Sequence, residues 1–353
     1  MEKSSKTTDT SVKPRIAVII LNWNGEKLLP EYLPKVVATT DLSVSRIIVA
    51  DNGSTDASTA YVREAFSDSQ VGIMELDHNY GFAEGYNRAV AAVAGDFDYV
   101  VLLNSDLATS QGWDRTLLRF MDEHPDVGAC QPKVLSYLHP DTFEYAGASG
   151  GFLDRNGYPF CRGRIFGECE KDNGQYDEVA DVFWATGAAL LVRPDVYLTC
   201  GGLDPEFFAH MEEIDLCWRI QLAGWRICVV PQSVVYHLGG GSLPAENPRK
   251  TYLNFRNNLL MLHKNLPDRV RGAFLLRRRL LDTIAWARYA MTFDFRNAAA
   301  IFRAHRDFAS MRRRYTSHPT ANLLDDALPD ILWDYYLRGR RRFSQLRMGR
   351  GRR

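Results

Sequence analysis

Four unbroken apolar runs mark the first third of the chain: RIAVIILNW (15–23), SRIIVADN (45–52), VGIMEL (71–76) and YVVLLN (99–104). Each is short and rich in Val and Ile, the pattern of a strand buried on both faces. Between them, residues 26–39, 56–66 and 83–94 carry apolar positions at helical spacing. Strands alternating with helices predict an α/β fold with a mostly parallel sheet covered by helices. From 127 to 237 the pattern loosens. VGACQPKV (127–134), DVFWATGAALLVRP (181–194) and WRICVVP (225–231) predict further strands, with a Gly-rich loop region at 147–174 and a helix over 211–223.

Beyond Pro267 the character changes to long Arg-rich helical segments, 269–292 and 295–314, then a fainter helical pattern near 326–342 and a basic tail. This change divides the chain into a polar, disordered lead-in (1–14), an α/β domain (15–266) and a basic helical extension (267–353). Charge sharpens the division. From Arg269 to Arg353 there are 20 Arg, no Lys and seven Asp, a net of +13, and the rest of the chain carries the balancing −13. An acidic body with an arginine-rich end points to an anionic partner for that end.

Six scattered cysteines form no C-x-x-C pair, which suits reduced thiols in a cytoplasmic protein. The first 14 residues contain no apolar core of a signal peptide, and no stretch reaches the roughly 18 to 20 apolar residues a transmembrane helix needs. Any membrane contact is therefore expected to be peripheral.

In sheets of this kind ligands bind beyond the carboxyl ends of the strands. There the chain offers NWNG (22–25), DNGSTD (51–56), HNYGFAEGYN (78–87) and NSD (104–106). Any one of these is ordinary turn chemistry. Four polar ends converging on one rim favour a shared binding site.

These segments, followed by ATGAALLVRP, MEEIDLCWR and VVYHLGGGS, resemble in order the inverting glycosyltransferases of family 2, which have the nucleotide-sugar-binding GT-A fold. The resemblance runs from about Arg15 to Pro267 and is closest to the rhamnosyltransferase-like branch that builds bacterial cell-surface polysaccharides. It implies a nucleotide-sugar donor, a glycan or polyprenyl-diphosphate-linked acceptor, and Mg²⁺ or Mn²⁺ as cofactor.

The resemblance assigns the metal to Asp106 and His237. Asn104 replaces the first carboxylate of the family's D-x-D-like motif and is expected to bond ribose or sugar. On the donor side it implies Asp51 for the base, with Asn22, Asn79, Gly81, Gly85, Asn87 and Arg256 around the ribose and diphosphate. Gly239, Gly240 and Gly241 would let backbone amides approach phosphate.

The resemblance puts the catalytic base in MEEIDLCWR, at Glu213 in the family motif's second acidic position, with Asp215 as the other candidate. At about 100° per residue, Glu213 shares a helix side with Leu216, Cys217 and Ile220, whereas Glu212, Asp215 and Arg219 form another. Burial would raise the pKa of Glu213 and a helix N-terminus would lower it. Trp184, Thr186 and Gly187 are assigned to the acceptor cleft, with Trp184 equally readable as core.

The extension reads as interfacial helices on an anionic membrane, which would put the protein at the inner face of the cytoplasmic membrane. No nucleic-acid reader module is evident. Two other functions share the fold. A sugar nucleotidylyltransferase should open with a Gly-rich G-x-G-x-R loop where this chain has LNWNG; a non-catalytic binding protein has no need of Asp106, Glu213 and His237 together.

Overall fold

The computed structural model describes residues 13–239, 247–324 and 327–348. The lead-in before residue 13, Gly240, Gly241 and the last five residues lie outside the described residues. In chain order the α/β part comprises β1 (Ile16–Asn22), α1 (Leu29–Thr39), β2 (Ser45–Asp51), α2 (Ser58–Ala65), β3 (Val71–Glu75), α3 (Gly81–Val93) and β4 (Tyr99–Leu103). Next come β5 (Leu107–Thr109), α4 (Trp113–Glu123), β6 (Val127–Ser136), and the short strands β7 (Gly151–Leu153), β8 (Pro159–Cys161), β9 (Arg164–Ile165), β10 (Glu168–Cys169) and β11 (Ala180–Asp181). Then follow β12 (Ala189–Val192), α5 (Pro194–Thr199), α6 (Glu212–Leu222), β13 (Arg226–His237), α7 (Pro248–Asn265), α8 (Asp268–Met291) and α9 (Phe295–Met311).

The described strands of the main sheet run β11-β13-β6-β12-β4-β1-β2-β3, with β5 on β13. The longer pairings, β1 with β2 and β4, β2 with β3, and β6 with β13, are parallel. The unbroken apolar runs follow from helices on both faces: Ile16, Val18 and Ile20 enter one core, while Ala17 and Ile19 enter the other.

Two expectations change. The segment 181–194 is not one strand, because β11 and β12 lie in different parts of the sheet and 182–188 crosses between them. Residues 147–174 are not merely loop, since β7 to β10 form a small antiparallel sheet. Its strands of two or three residues are too short to display an alternating pattern. One glycine there is required by packing: a Cβ on Gly151 would lie 2.0 Å from the Trp184 indole.

The extension is bolted to the body. α7 packs on α9, and Ile301, Ala304 and Phe308 are buried. Arg278 of α8 is 1% exposed, stacks on the Tyr158 ring at 3.7 Å and donates to the Asn156 carbonyl and to Asp282. Asp282 also accepts from Tyr158 and faces His305 at 3.1 Å. Near residues 326–342 the ordered element is one wide helical turn at Trp333–Leu337.

Candidate functional site

The carboxyl ends of β1 and β2 meet in register at Asn22 and Asp51. Asn22 Nδ2 donates to Asp51 Oδ1 at 2.9 Å, and the Ser54 backbone N–H donates to Asp51 Oδ2 at 3.1 Å. Both bonds orient the carboxylate. Gly53 sits at φ +72°, where a Cβ would lie 2.7 Å from His78 Cα, so only glycine lets the two loops pass. Beside them opens a cavity of about 610 Å³ lined by Asp51, Ser54, Thr55, Glu75, Asp77 and Asn79. Buried Asn52 holds the far wall: its amide donates to Asn79 Oδ1 and the Gly81 carbonyl and accepts from the Tyr80 N–H.

Further around the rim, on the other side of β1, β4 gives way to Asn104 and Asp106. The pairing of β13 with β5 sets His237 opposite Leu107, and the Leu238 N–H donates to the Asp106 carbonyl. His237 Nε2 therefore lies 3.1 Å from Asp106 Oδ1. Behind the ring, Glu144 Oε2 stands 3.3 Å from Nδ1, within ion-pair reach though not aligned as a hydrogen bond. A Cβ on Gly239, at φ +68°, would lie 2.6 Å from Glu144 Oε1.

Burial works against a charged imidazole here. The two carboxylates outweigh it and push His237 up to about 10. Among the described residues no group of three or more His, Cys, Asp or Glu is disposed to hold a metal ion. The donor set for a divalent cation is thus one carboxylate and one imidazole, with Glu144 as an outer carboxylate behind the ring. This set fits a cation whose other ligands come from phosphate oxygens, once the His237 proton has left.

The third element of the rim is the N-terminus of α6. The loop feeding it holds three non-glycine residues at positive φ, Phe208 (65°), His210 (69°) and Met211 (75°). Strain of this kind persists only where neighbours enforce it. Here Asn257 of α7 donates to the carbonyls of Phe207, Ala209 and His210, and Arg256 donates to those of Glu206 and Phe207. The loop delivers Glu213 half-buried against Gly187, where a Cβ would lie 3.2 Å from Glu213 Cβ. The next carbonyl, that of Ala188, accepts from the Asn104 N–H, joining this carboxylate to the Asp106 end of β4.

Burial pushes the Glu213 carboxyl up to about 7, against the backbone N–H groups of its own helix start. Glu212, fully inside and beside Glu213, is pushed well above the usual carboxylate range by burial and that neighbour. One oxygen of each carboxyl lacks a partner among the described residues.

Several expected site residues land elsewhere. Asp215 is 0% exposed and is engaged by Arg219, Lys264 and Asn265; burial would raise its pKa, but Arg219 and Lys264 hold it below the usual range. It is a structural ion-pair hub, which leaves Glu213 as the carboxylate open to the rim. Asn87 is spent on Leu203 and Tyr197. Arg256, in the same way, holds the strained loop. Trp184 is core, its indole N–H donating to the Phe152 carbonyl. Gly85 is packed under Leu21 and Asn52, and Thr186 is buried with its N–H on Gln131. Asp51, Asn79, Asn104, Asp106, Gly187, Glu213 and His237 remain along the rim, with Asn22 bracing Asp51 and Gly81 accepting from Asn52. Sequence reasoning passed over Asn52, Glu144 and Asn257. Asn52 adjoins Asp51 in a motif already singled out, and Asn257 adjoins Arg256; Glu144 sits in an unpatterned stretch with no signal of its own.

Residues 17–169 match the description "Glycosyl transferase family 2". This stretch, under half of the chain, is similar to that family. Among curated relatives, the chain is 28% identical over 240 residues to an N-acetylglucosaminyl-diphospho-decaprenol L-rhamnosyltransferase of Mycobacterium tuberculosis, covering 65% of this chain and 76% of that protein. It is 28% identical over 167 residues to rhamnosyltransferase WbbL of Escherichia coli, covering 45% of this chain and 61% of that one. Solved structures share the fold at low identity. A mannosyltransferase from Pyrobaculum calidifontis, in complex with GDP-Man and Mn²⁺, superposes with a TM-score of 0.51 at 15% identity, over 85% of this chain and 84% of its own. GalNAc-T7 with UDP, GalNAc and Mn²⁺ gives 0.55 at 14% identity, over 72% of this chain and 48% of its own. The chain therefore has the GT-A fold, with additional C-terminal helices, and is a transferase similar to rhamnosyltransferases.

Proposed function

We propose that this glycosyltransferase moves a sugar from a nucleotide-sugar donor to a hydroxyl of a glycan or polyprenyl-diphosphate-linked acceptor, with inversion, in building a cell-surface polysaccharide. Rhamnose is the sugar favoured by the two rhamnosyltransferase relatives, and the decaprenol-linked substrate in the name of one supports the acceptor class. The observation that carries the reading is Glu213. It is the rim carboxylate with a pKa pushed up to about 7, joined through Gly187 and Ala188 to the Asn104–Asp106 end of β4.

A group with that pKa can take a proton from the acceptor hydroxyl near neutral pH as the oxygen attacks the anomeric carbon. On the donor side, Asp51 would accept from the base in the cavity beside it, and Asn79 and Asn104 would orient ribose or sugar. Asp106 and His237 are the residues that would hold Mg²⁺ or Mn²⁺, which when bound supplies charge neutralisation for the leaving diphosphate. The acceptor class implies work at the cytoplasmic face of a membrane. Among the described residues no helix is long and apolar enough to cross one.

The test is a panel of nucleotide sugars, dTDP-rhamnose included, scored for thermal shift and for nucleotide release with and without Mn²⁺. The expected result is metal-dependent release from one donor that Glu213→Gln abolishes while the thermal shift stays. Pyrophosphate exchange would instead identify a nucleotidylyltransferase, and binding without release would identify a non-catalytic sugar-nucleotide protein.

A further inference from the structure

Besides the side chains that pack on the body, helices α8 and α9 leave several large apolar side chains facing outward. The face of α8 that meets the body carries Leu275, Arg278 and Asp282, two of them charged. Its outer face repeats Leu276, Leu280 and Ile284 at four-residue spacing, 61%, 63% and 67% exposed. Residues four apart stack on one side of a helix, so these three form a continuous stripe. The stripe runs on through Met291 to the corner before α9, where Phe293 is 81% exposed and held at φ 61°. A bulky residue in the left-handed region is costly, and here the cost is spent on keeping an aromatic ring in the open. α9 adds Phe302, 68% exposed.

Arginines flank this surface. Arg269, Arg279, Arg288, Arg296 and Arg303 are all exposed, and none makes an ion pair among the described residues. By contrast, the inward Arg278 is paired with Asp282.

We infer that the outer faces of α8 and α9, with the Phe293 corner at their junction, are a docking surface for an anionic lipid bilayer. The inference deepens the membrane-proximal acceptor reading and rests on it, but not on the transfer chemistry. Apolar side chains in the middle of a cationic rim match the acyl boundary and the anionic headgroups of such a surface. Two copies of the chain meeting through the same patch would oppose arginine to arginine, which disfavours a dimer. The buried face of both helices stays on the body, so docking needs no unfolding of the extension.

The full chain is sedimented with vesicles of phosphatidylcholine alone and of equal parts phosphatidylcholine and phosphatidylglycerol, at low and high salt. Variants are Leu280→Glu with Ile284→Glu on the stripe, Arg279→Glu with Arg296→Glu on the rim, and Leu138→Glu, equally exposed but remote, as control. The wild type and the control should bind the anionic vesicles, less tightly at high salt. Both double variants should lose roughly tenfold or more in partitioning, with unchanged circular dichroism melting since every altered side chain is exposed. No binding by the wild type to either vesicle would overturn the membrane reading itself. Binding that both double variants retain would leave the membrane reading standing and reject this face. Concentration-dependent self-association lost in the stripe variant, without vesicle binding, would identify a homodimer surface and reject the lipid. None of these outcomes depends on sugar transfer, so failure of the catalytic assignment is read separately.

Discussion

Glu213 shows how a single environment can set a role. In sequence it has both an apolar helix side that would raise its pKa and a helix start that would lower it, and the pKa moves from 4.5 to about 7 because burial outweighs the helix N-terminus. Two consequences follow at this residue. Turnover should rise with pH as Glu213 ionises through about pH 7 and level off above, and Glu213→Gln should lower turnover by about 10²-fold or more with donor affinity kept. Stability carries the opposite sign. The folded state holds a proton that the unfolded chain releases at lower pH, so the group's stabilising share is present below 4.5 and lost as pH rises to about 7. Glu213→Gln should accordingly melt higher than wild type at pH 8 and about equally at pH 4, by calorimetry across pH. At the metal pair, Asp106→Ala is expected to abolish Mn²⁺-dependent donor binding and His237→Ala to weaken it. Calorimetric titration of donor with and without Mn²⁺ measures both, and unchanged metal dependence in the Asp106 variant would remove the pair from the site.

Elements matter at this site chiefly where they end. The strand-end loops are close enough that backbone touches backbone: the 51–56 loop passes the 77–80 loop at Gly53, and α7 clamps the strained 208–211 loop through Asn257 and Arg256. Gly53→Ala adds a methyl at 2.7 Å from the His78 backbone and at φ +72°, a clash that no side-chain rotation relieves. It should cost about 1 kcal/mol or more in urea denaturation and weaken nucleotide binding at the Asp51 cavity. Asn257→Ala frees the 208–211 loop to relax. The expected effect is a fall in turnover larger than the loss of stability, because the loop's geometry delivers Glu213. An unaltered turnover in a folded Asn257 variant would mean the strain has no functional part.

For the molecule as a whole, the extension is both part of the fold and a surface of its own. Arg278 and Asp282 are buried together, and Arg278→Ala leaves the Asp282 carboxylate with Tyr158 and His305 alone, at a cost of about 3 kcal/mol in unfolding measurements. A chain ending near Pro267 would uncover the side of α7 that α9 now covers, so it should lose its sharp melting transition rather than serve as a neutral truncation. Surface substitutions on the outer faces, which leave that packing alone, are the way to probe what the extension does.

The residue pattern alone determined the alternation of strands and helices, because continuous Val- and Ile-rich runs can be satisfied only by a sheet covered on both sides. It also located the strand-end motifs, since Asn, Asp and Gly in sequence carry their turn chemistry with them, while the family resemblance placed Asp51, Asp106, Glu213 and His237 among the candidates. What it could not order was everything set by contacts distant in the chain. Asp215 and Glu213 are two residues apart and equally acidic, but only packing against Lys264 and Asn265 turns one into a structural ion pair and leaves the other open to the rim. Arg256 and Asn87 are likewise diverted to backbone carbonyls that no local pattern reveals. Glu144 reaches His237 across 93 residues of chain, and the apolar residues of α8 read the same in sequence whether they face the core or solvent. Helical spacing says which side chains share a face; only the neighbouring elements decide which face is covered.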